Sequence, residues 1–307
     1  MYTIGIDIGG TNTEFGLVSR QGEILRRGQF ATRQYTNPHT FAEALKGEIA
    51  RLLEGMGEIG VAGAGIGAPN GNFYKGTVEF APNLPWRGII PLADIISEAL
   101  GVPAWLTNDA NAAALGEMVY GGAKGMKNFI VITIGTGLGS GIVVNGDMLY
   151  GHDGFAGELG HTIVFPEEGR RCTCGRHGCL EAYVSARGII ETYFSHNPGA
   201  ADQQGISTVL IAERAARGEE AAIRTFDYTG RILGLKLSDA VAFSSPEAIF
   251  LFGGITKAGA NLFNPVKKWM EHYMLEIYKN KVPLLPSALP ENSAAILGAS
   301  ALAWRMS

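Results

Sequence analysis

Two stretches of the chain carry the same alternation of apolar and small positions. Ile4 to Val18 (IGIDIGGTNTEFGLV) and Ile130 to Val144 (IVITIGTGLGSGIVV) each read as an apolar strand, a turn of glycine and threonine, and a second apolar strand. With Ile4 set against Ile130, Ile6, Ile8, Gly9 and Val18 fall opposite Ile132, Ile134, Gly135 and Val144. Few identities are shared, but the pattern matches throughout, as expected of one hairpin used twice. Around these hairpins, period-2 and period-3.6 patterns alternate. Val61–Ile66 predicts a buried strand, Pro91–Leu100 a helix, Pro103–Thr107 a strand and Asn108–Met118 an alanine-rich helix. Residues 146–181 lose their aliphatics to Gly, His, Cys and Arg and read as a long loop. Helical patterns follow at Ala182–Ser195, Thr208–Arg217 and Glu219–Phe243, then a short strand at Ala248–Phe252 opening onto Gly253-Gly254, and a closing helix at Ser293–Arg305. The class is mixed α/β. No low-complexity linker interrupts it, so two hinged lobes are expected: residues 1–117, with the last helix (293–307) packing back on them, and residues 118–292, which include the loop 158–181.

Composition narrows the function. The 307 residues suffice for two domains with substantial cores. With 25 basic against 29 acidic side chains, net charge −4, there is no positive field to hold a nucleic-acid backbone. No basic, then apolar leader precedes the first strand, and no run approaches the ~18 to 20 apolar residues of a membrane span. All three cysteines lie within Cys172–Cys179, a clustered odd number that suits metal ligation better than disulfides. A cytoplasmic protein is expected. The 43 glycines are about twice the usual ~7% and follow no fibre period, so each needs a local reason.

Several clusters could carry chemistry. In Asp7-Ile-Gly9-Gly10-Thr11 an acid ends a strand and a small-residue turn follows; backbone N–H groups can then approach a phosphate while the carboxylate faces hydrated magnesium. Alone this could be an ordinary turn, and it is neither a Walker loop nor a dinucleotide fingerprint. A second turn of similar make-up, Gly135-Thr136-Gly137 through Gly141, strengthens the phosphate reading. Gly253-Gly254 is open enough for a flat purine, or is simply a strand-to-helix turn. Asn108-Asp109-Ala-Asn111 can cap a helix, yet three polar residues in four positions also suit an amide gripping a hydroxyl and a carboxylate taking its proton. Loops around Asn70 and Asn83 add amides suited to polyols. Cys172, Cys174 and Cys179, with glycines that allow tight wrapping, supply three thiolates to a tetrahedral zinc. The fourth ligand could be His177 within the loop or His161 eleven residues upstream of Cys172; closure by a separate segment favours His161. A fully ligated zinc is structural and would fix Glu158, His161 and Glu181 around one cavity.

These residues together give the chain a nearly end-to-end resemblance to the ROK family of sugar kinases and sugar-responsive repressors, and most of all to its bacterial glucokinases. Asp7–Thr11 and Gly135–Gly141 resemble its phosphate motifs, Asn108–Asn111 its catalytic motif, and Glu158-Leu-Gly-His161 with Cys172-x-Cys174-Gly-x-x-Gly-Cys179-x-Glu181 its signature. The resemblance implies an actin-like ATPase (ribonuclease H-like) fold of two lobes, each built on a duplicated α/β core, with a cleft between them. It implies ATP-dependent phosphorylation of a hexose at the 6-hydroxyl, glucose first, with N-acetylglucosamine, N-acetylmannosamine, fructose, mannose or allose behind it. Asp109 would be the base, with Asn83, Asn108, Glu158, His161 and Glu181 on other hydroxyls. Asp7 would help place Mg2+; Gly9, Gly10, Thr11, Thr136 and Gly137 would surround phosphate, and Gly253 and Gly254 would border adenine. Zn2+ would be held by His161, Cys172, Cys174 and Cys179, and a homo-oligomer, dimer or tetramer, is implied. Asn70 departs from the pattern, since many members place glycine directly after the proline. The non-enzymatic alternative is a sugar-sensing regulatory module; a first strand at Thr3 leaves no room ahead of it for a helix-turn-helix domain. A purely ATP-binding assembly protein would not need the metal-held cavity.

Overall fold

The computed structural model describes residues 1–57, 59–200, 205–290 and 292–307. In chain order the elements are β1 (Tyr2–Ile8), β2 (Asn12–Ser19), β3 (Ile24–Ala31), α1 (Pro38–Leu53), β4 (Val61–Gly67), β5 (Gly71–Asn72), β6 (Thr77–Glu79), β7 (Ile89–Ile90), α2 (Leu92–Leu100), β8 (Ala104–Thr107) and α3 (Asp109–Val119). There follow β9 (Phe129–Ile134), β10 (Leu138–Val144), β11 (Asp147–Met148), α4 (Glu181–Val184), α5 (Ala186–His196), α6 (Thr208–Ala216), α7 (Glu220–Ser244), β12 (Ala248–Phe252), α8 (Ala260–Tyr273), β13 (Leu284–Pro286) and α9 (Ala294–Met306). The chain forms two units: Met1–Met126 with Met148–Ala156 and Ala288–Ser307, and Lys127–Asp147 with Gly157–Ser287.

In the first unit the sheet runs β3-β2-β1-β4-β8, antiparallel across β3, β2 and β1 and parallel across β1, β4 and β8. Ile4, Ile6 and Ile8 of β1 are buried, as are Leu45 and Ile49 of α1 and Leu92 and Ile96 of α2, so apolar burial fixes which faces turn inward. Helix α9 lies on this sheet. Its backbone at Ile296 and Ala299 occupies the space that a Cβ on Gly5 or Gly65 would take, so those two glycines allow the helix to sit directly on the strands. Thr3 Oγ1 and Ser300 Oγ then meet at 2.8 Å.

The second unit repeats the arrangement, with sheet order β11-β10-β9-β12-β13, β9 antiparallel to β10 and parallel to β12, and β12 parallel to β13. The repeat read from the sequence is therefore structural, with one adjustment. Ile8 faces Thr13 across the first hairpin, whereas Ile134 faces Leu138 across the second, a turn one residue shorter. A one-residue register change swaps the faces of a strand, so β10 is not a plain copy of β2.

Most predicted elements stand within a residue or two of their expected limits. The segment expected as one helix over Ala182–Ser195 is instead two, α4 and α5. Ser185 breaks it: its backbone is extended and its hydroxyl accepts a hydrogen bond from Gly188 N–H, capping α5. Helices α1 and α8 and strand β3 lie outside the elements the pattern predicts; α8 carries Pro265 inside it, a residue that argues against a helix when read locally.

Candidate active site and metal centre

Ligand sites in parallel α/β sheets form beyond the carboxyl ends of the strands. In the first unit those ends carry Asp7 on β1, Gly67 on β4 and Thr107 on β8, neighbours in register. Asp7 faces Glu14 across the antiparallel pair with β2. Burial, then the charges of Asp109 and Glu14, push its carboxyl up to about 7. It borders a cavity of about 540 Å³ that Glu14, Arg27 and Gln29 also line. Gly67 lies beside the Asp7 carboxylate: a Cβ there would stand 3.5 Å from Asp7 Oδ1, an ordinary contact.

Asp109 opens α3, and Asn108 is the N-cap: its Oδ1 accepts from Asn111 N–H at 2.7 Å. One polar residue of the cluster thus performs the capping role, while Asp109 Oδ1 accepts from Ala110 N–H at 2.8 Å. Asp109 is exposed by surface area. The protein mass around it nonetheless pushes its carboxyl above the usual range, against the local pull of the Ala110 N–H; contact with water limits that rise. In the adjoining turn, Gly9 N–H donates to Asn12 O at 3.0 Å, and the backbone of Asn83 lies against Gly10, 2.5 Å from where a Cβ would be. Thr11 and Asn83 are both exposed beside it. The structure thereby brings together Asp7, Gly9, Gly10, Thr11, Asn83, Asn108 and Asp109 within one unit.

In the second unit Gly135 N–H donates to Gly137 O at 2.9 Å, closing the turn with Thr136 exposed at its tip. Glu181 packs behind it. Its Oε2 accepts from Leu138 N–H at 3.1 Å, and its Oε1 from the Thr173 hydroxyl at 2.6 Å; the side chain is only 8% exposed. That burial sets it apart from a solvated acid at a helix start. Gly253 has φ +112° and rests on the carbonyl of Ile134 at the end of β9, so the two turns end neighbouring parallel strands. Gly254, Ile255, Lys257 and Ala258 form one side of a cavity of about 280 Å³ whose other side is α6, at Thr208, Val209 and Ala212.

His161, Cys172, Cys174 and Cys179 bring four donor atoms within 4.8 Å of one another. The Cys174 and Cys179 sulfurs are 3.7 Å apart, as are Cys172 Sγ and His161 Nδ1. Zinc–sulfur bonds of about 2.3 Å in a tetrahedron place ligand atoms roughly 3.7 Å apart, so the donor set fits zinc. The fourth position goes to His161, while His177 pairs by backbone with Arg171. Nε2 of His161 stays 3.8 Å from the exposed Glu158 carboxylate. Sequence reasoning missed Thr173 and Glu14. Thr173 lies between two cysteines and offers no pattern of its own; Glu14 could have been found from the hairpin register opposite Asp7.

The family model that describes the ROK family matches residues 3–306. A glucokinase of Halalkalibacterium halodurans is 35% identical over 89% of this chain and 86% of its own. A xylose repressor of Bacillus spizizenii is 30% identical over 96% of this chain and 75% of its own. The crystal structure of a ROK family glucokinase from Streptomyces griseus in complex with glucose and AMPPNP superimposes with a TM-score of 0.83 at 33% identity, covering 99% of this chain and all of that one. Among the described residues no helix is long and apolar enough to cross a membrane.

Proposed function

The chain belongs to the ROK family and has the actin-like ATPase fold, and from that footing we propose that it is an ATP-dependent hexose kinase that makes hexose 6-phosphate, with glucose as the acceptor. The observation that carries the reading is the pair Asp7 and Asp109: one carboxylate ends β1, the other opens α3 just past β8 of the same sheet, and the charge of Asp109 helps to raise the Asp7 carboxyl. Such a site favours a cationic partner and a proton acceptor together. Phosphoryl transfer passes through a loose transition state with charge spread over phosphate oxygens, so alignment and electrostatic stabilisation provide most of the rate. Asp109 orients the 6-hydroxyl and takes its proton late. Asn83, Asn108, Glu158 and His161 hold other hydroxyls. Glu181 joins them while keeping its bonds to Leu138 and Thr173, since a carboxylate has about four acceptor sites. Gly10, Thr11, Thr136 and Gly137 turn backbone N–H groups to phosphate, and Gly9, whose own N–H closes the turn onto Asn12 O, lets the phosphate approach closely.

Gly253 and Gly254 border the purine, and the cavity between α6 and the Gly254 turn combines apolar side chains (Val209, Ala212, Ile255) for a flat base with polar ones (Thr208, Asn261) that could meet its edge. Asp7 would help hold Mg2+, which neutralises phosphate charge. His161, Cys172, Cys174 and Cys179 would hold Zn2+, which, with four protein ligands and no open position, would brace the loop. A cytoplasmic location and a homo-oligomeric assembly complete the reading. The xylose repressor keeps a regulatory module in view as the second reading.

The test is a coupled ADP-release assay with Mg-ATP across glucose, mannose, fructose, allose, N-acetylglucosamine and N-acetylmannosamine. Turnover with glucose at the highest kcat/KM supports the proposal. Turnover on an N-acetylated sugar alone overturns the substrate, and tight sugar binding without turnover favours the regulatory module.

A further inference from the structure

In the turn after β1 the carbonyls of Gly10, Thr11 and Asn12 are all taken by the protein. Arg33 Nε donates to Gly10 O at 3.1 Å, Thr32 N–H to Thr11 O at 2.9 Å, and Gly9 N–H to Asn12 O at 3.0 Å. Neither Gly10 N–H nor Thr11 N–H donates to another group among the described residues. Acceptors face inward and two successive donors stay open, which suits an anion.

One of those three bonds comes from a side chain, and its base is fixed. Arg33 sits in a single helical turn, Thr32–Gln34, just past β3. Thr32 Oγ1 meets Thr13 Oγ1 at 2.9 Å in a buried pair, and Tyr35 N–H closes the turn on Thr32 O at 3.1 Å. The peptide that Arg33 holds is the one most in need of holding. Gly10 has no room for a Cβ, since the backbone of Asn83 would stand 2.5 Å from it, and peptides beside a glycine rotate readily. The Gly10–Thr11 peptide is trans, so its N–H points opposite to its carbonyl. Gripping Gly10 O on one side therefore fixes the direction of Thr11 N–H on the other.

We propose that Arg33 is a positioning residue for the nucleotide phosphates, acting through the Gly10 carbonyl to keep Thr11 N–H aimed at the phosphate this turn receives. The inference rests on the phosphate reading of the turn given above and adds to it the side chain that sets the turn. Two variants separate the hydrogen bond from the charge. Arg33→Ala removes both, whereas Arg33→Gln removes the charge and keeps an N–H donor, since the amide nitrogen of glutamine stands as many bonds from Cα as Arg Nε does. Calorimetry on the whole chain with Mg2+ and AMPPNP should give a Kd raised about three- to tenfold in Arg33→Ala, the worth of one neutral hydrogen bond, and within about twofold of the parent in Arg33→Gln. Glucose affinity and melting temperature stay put in both. Amide NMR gives a second readout: AMPPNP at saturation shifts the Thr11 N–H signal in the parent and in Arg33→Gln, and shifts it less in Arg33→Ala. Unchanged AMPPNP affinity in Arg33→Ala, an equal loss in both variants, or a matching loss of glucose affinity overturns the proposal while leaving the kinase reading in place. A parent protein whose Thr11 signal ignores bound AMPPNP removes the phosphate reading of the turn and this inference together.

Discussion

Glu181 Oε2 and the backbone N–H of Leu138 are joined by a hydrogen bond of 3.1 Å, so a residue just past the last cysteine holds the first residue after the Gly135–Gly137 turn. The same carboxylate takes the Thr173 hydroxyl from within the cysteine loop. Metal loop and glycine turn are therefore one mechanical unit, and disturbing either is felt by the other.

Glu181→Ala leaves a buried N–H and a hydroxyl without their acceptor, which costs about 1–3 kcal/mol. Thermal unfolding should show the loss, and AMPPNP binding should weaken along with glucose binding. A variant that loses glucose affinity alone would show that the link to Leu138 is idle.

Cys174→Ser replaces one of four close donors with a poorer zinc ligand. Elemental analysis should find zinc in the parent protein and little in the variant, with glucose affinity falling more than AMPPNP affinity. Equal loss of both would point to global unfolding.

Asp109→Ala should lower kcat by about 10²–10⁴-fold, the usual worth of a general base, while sugar affinity stays within about tenfold. Steady-state assays paired with calorimetry separate the two. Retained turnover removes Asp109 from the proposed role.

Asp7 makes a pH signature in the ligand-free protein. Its carboxyl is raised from 3.8 to about 7 on folding, so the unfolded chain gives up that proton first. The group's favourable contribution is whole below about pH 4 and is lost as pH rises through about 7. Asp7→Asn removes this slope. Relative to the parent, its melting temperature should climb between pH 5 and pH 8; a constant difference across that range would rule out the buried-acid account. AMPPNP binding in the presence of Mg2+ should weaken in the same variant.

How much could be read in advance follows from how far apart the interacting residues are. Alternation over Ile4–Val18 and Ile130–Val144 announced both hairpins, because side-chain period is a local property of a strand. Three cysteines in eight residues announced a metal loop, because short spacing limits what else they can do. The break at Ser185 was less visible: Ser is an ordinary N-cap, but only the packing of Gly188 against the backbone of Ala182 and Tyr183 makes the chain turn there.

By itself the sequence determined the strand, turn and helix vocabulary, the repeat and the donor set of the metal loop, all of which depend on neighbours along the chain. Tertiary structure alone decided that Asn83 backs onto Gly10, that Glu181 reaches Leu138, that α9 settles on Gly5 and Gly65, and that the amide of Asn70 is locked by Glu79. Those contacts depend on which strands become neighbours in a sheet and in what register. Strand order is set by burial summed over a whole unit, a quantity that no short window of residues contains.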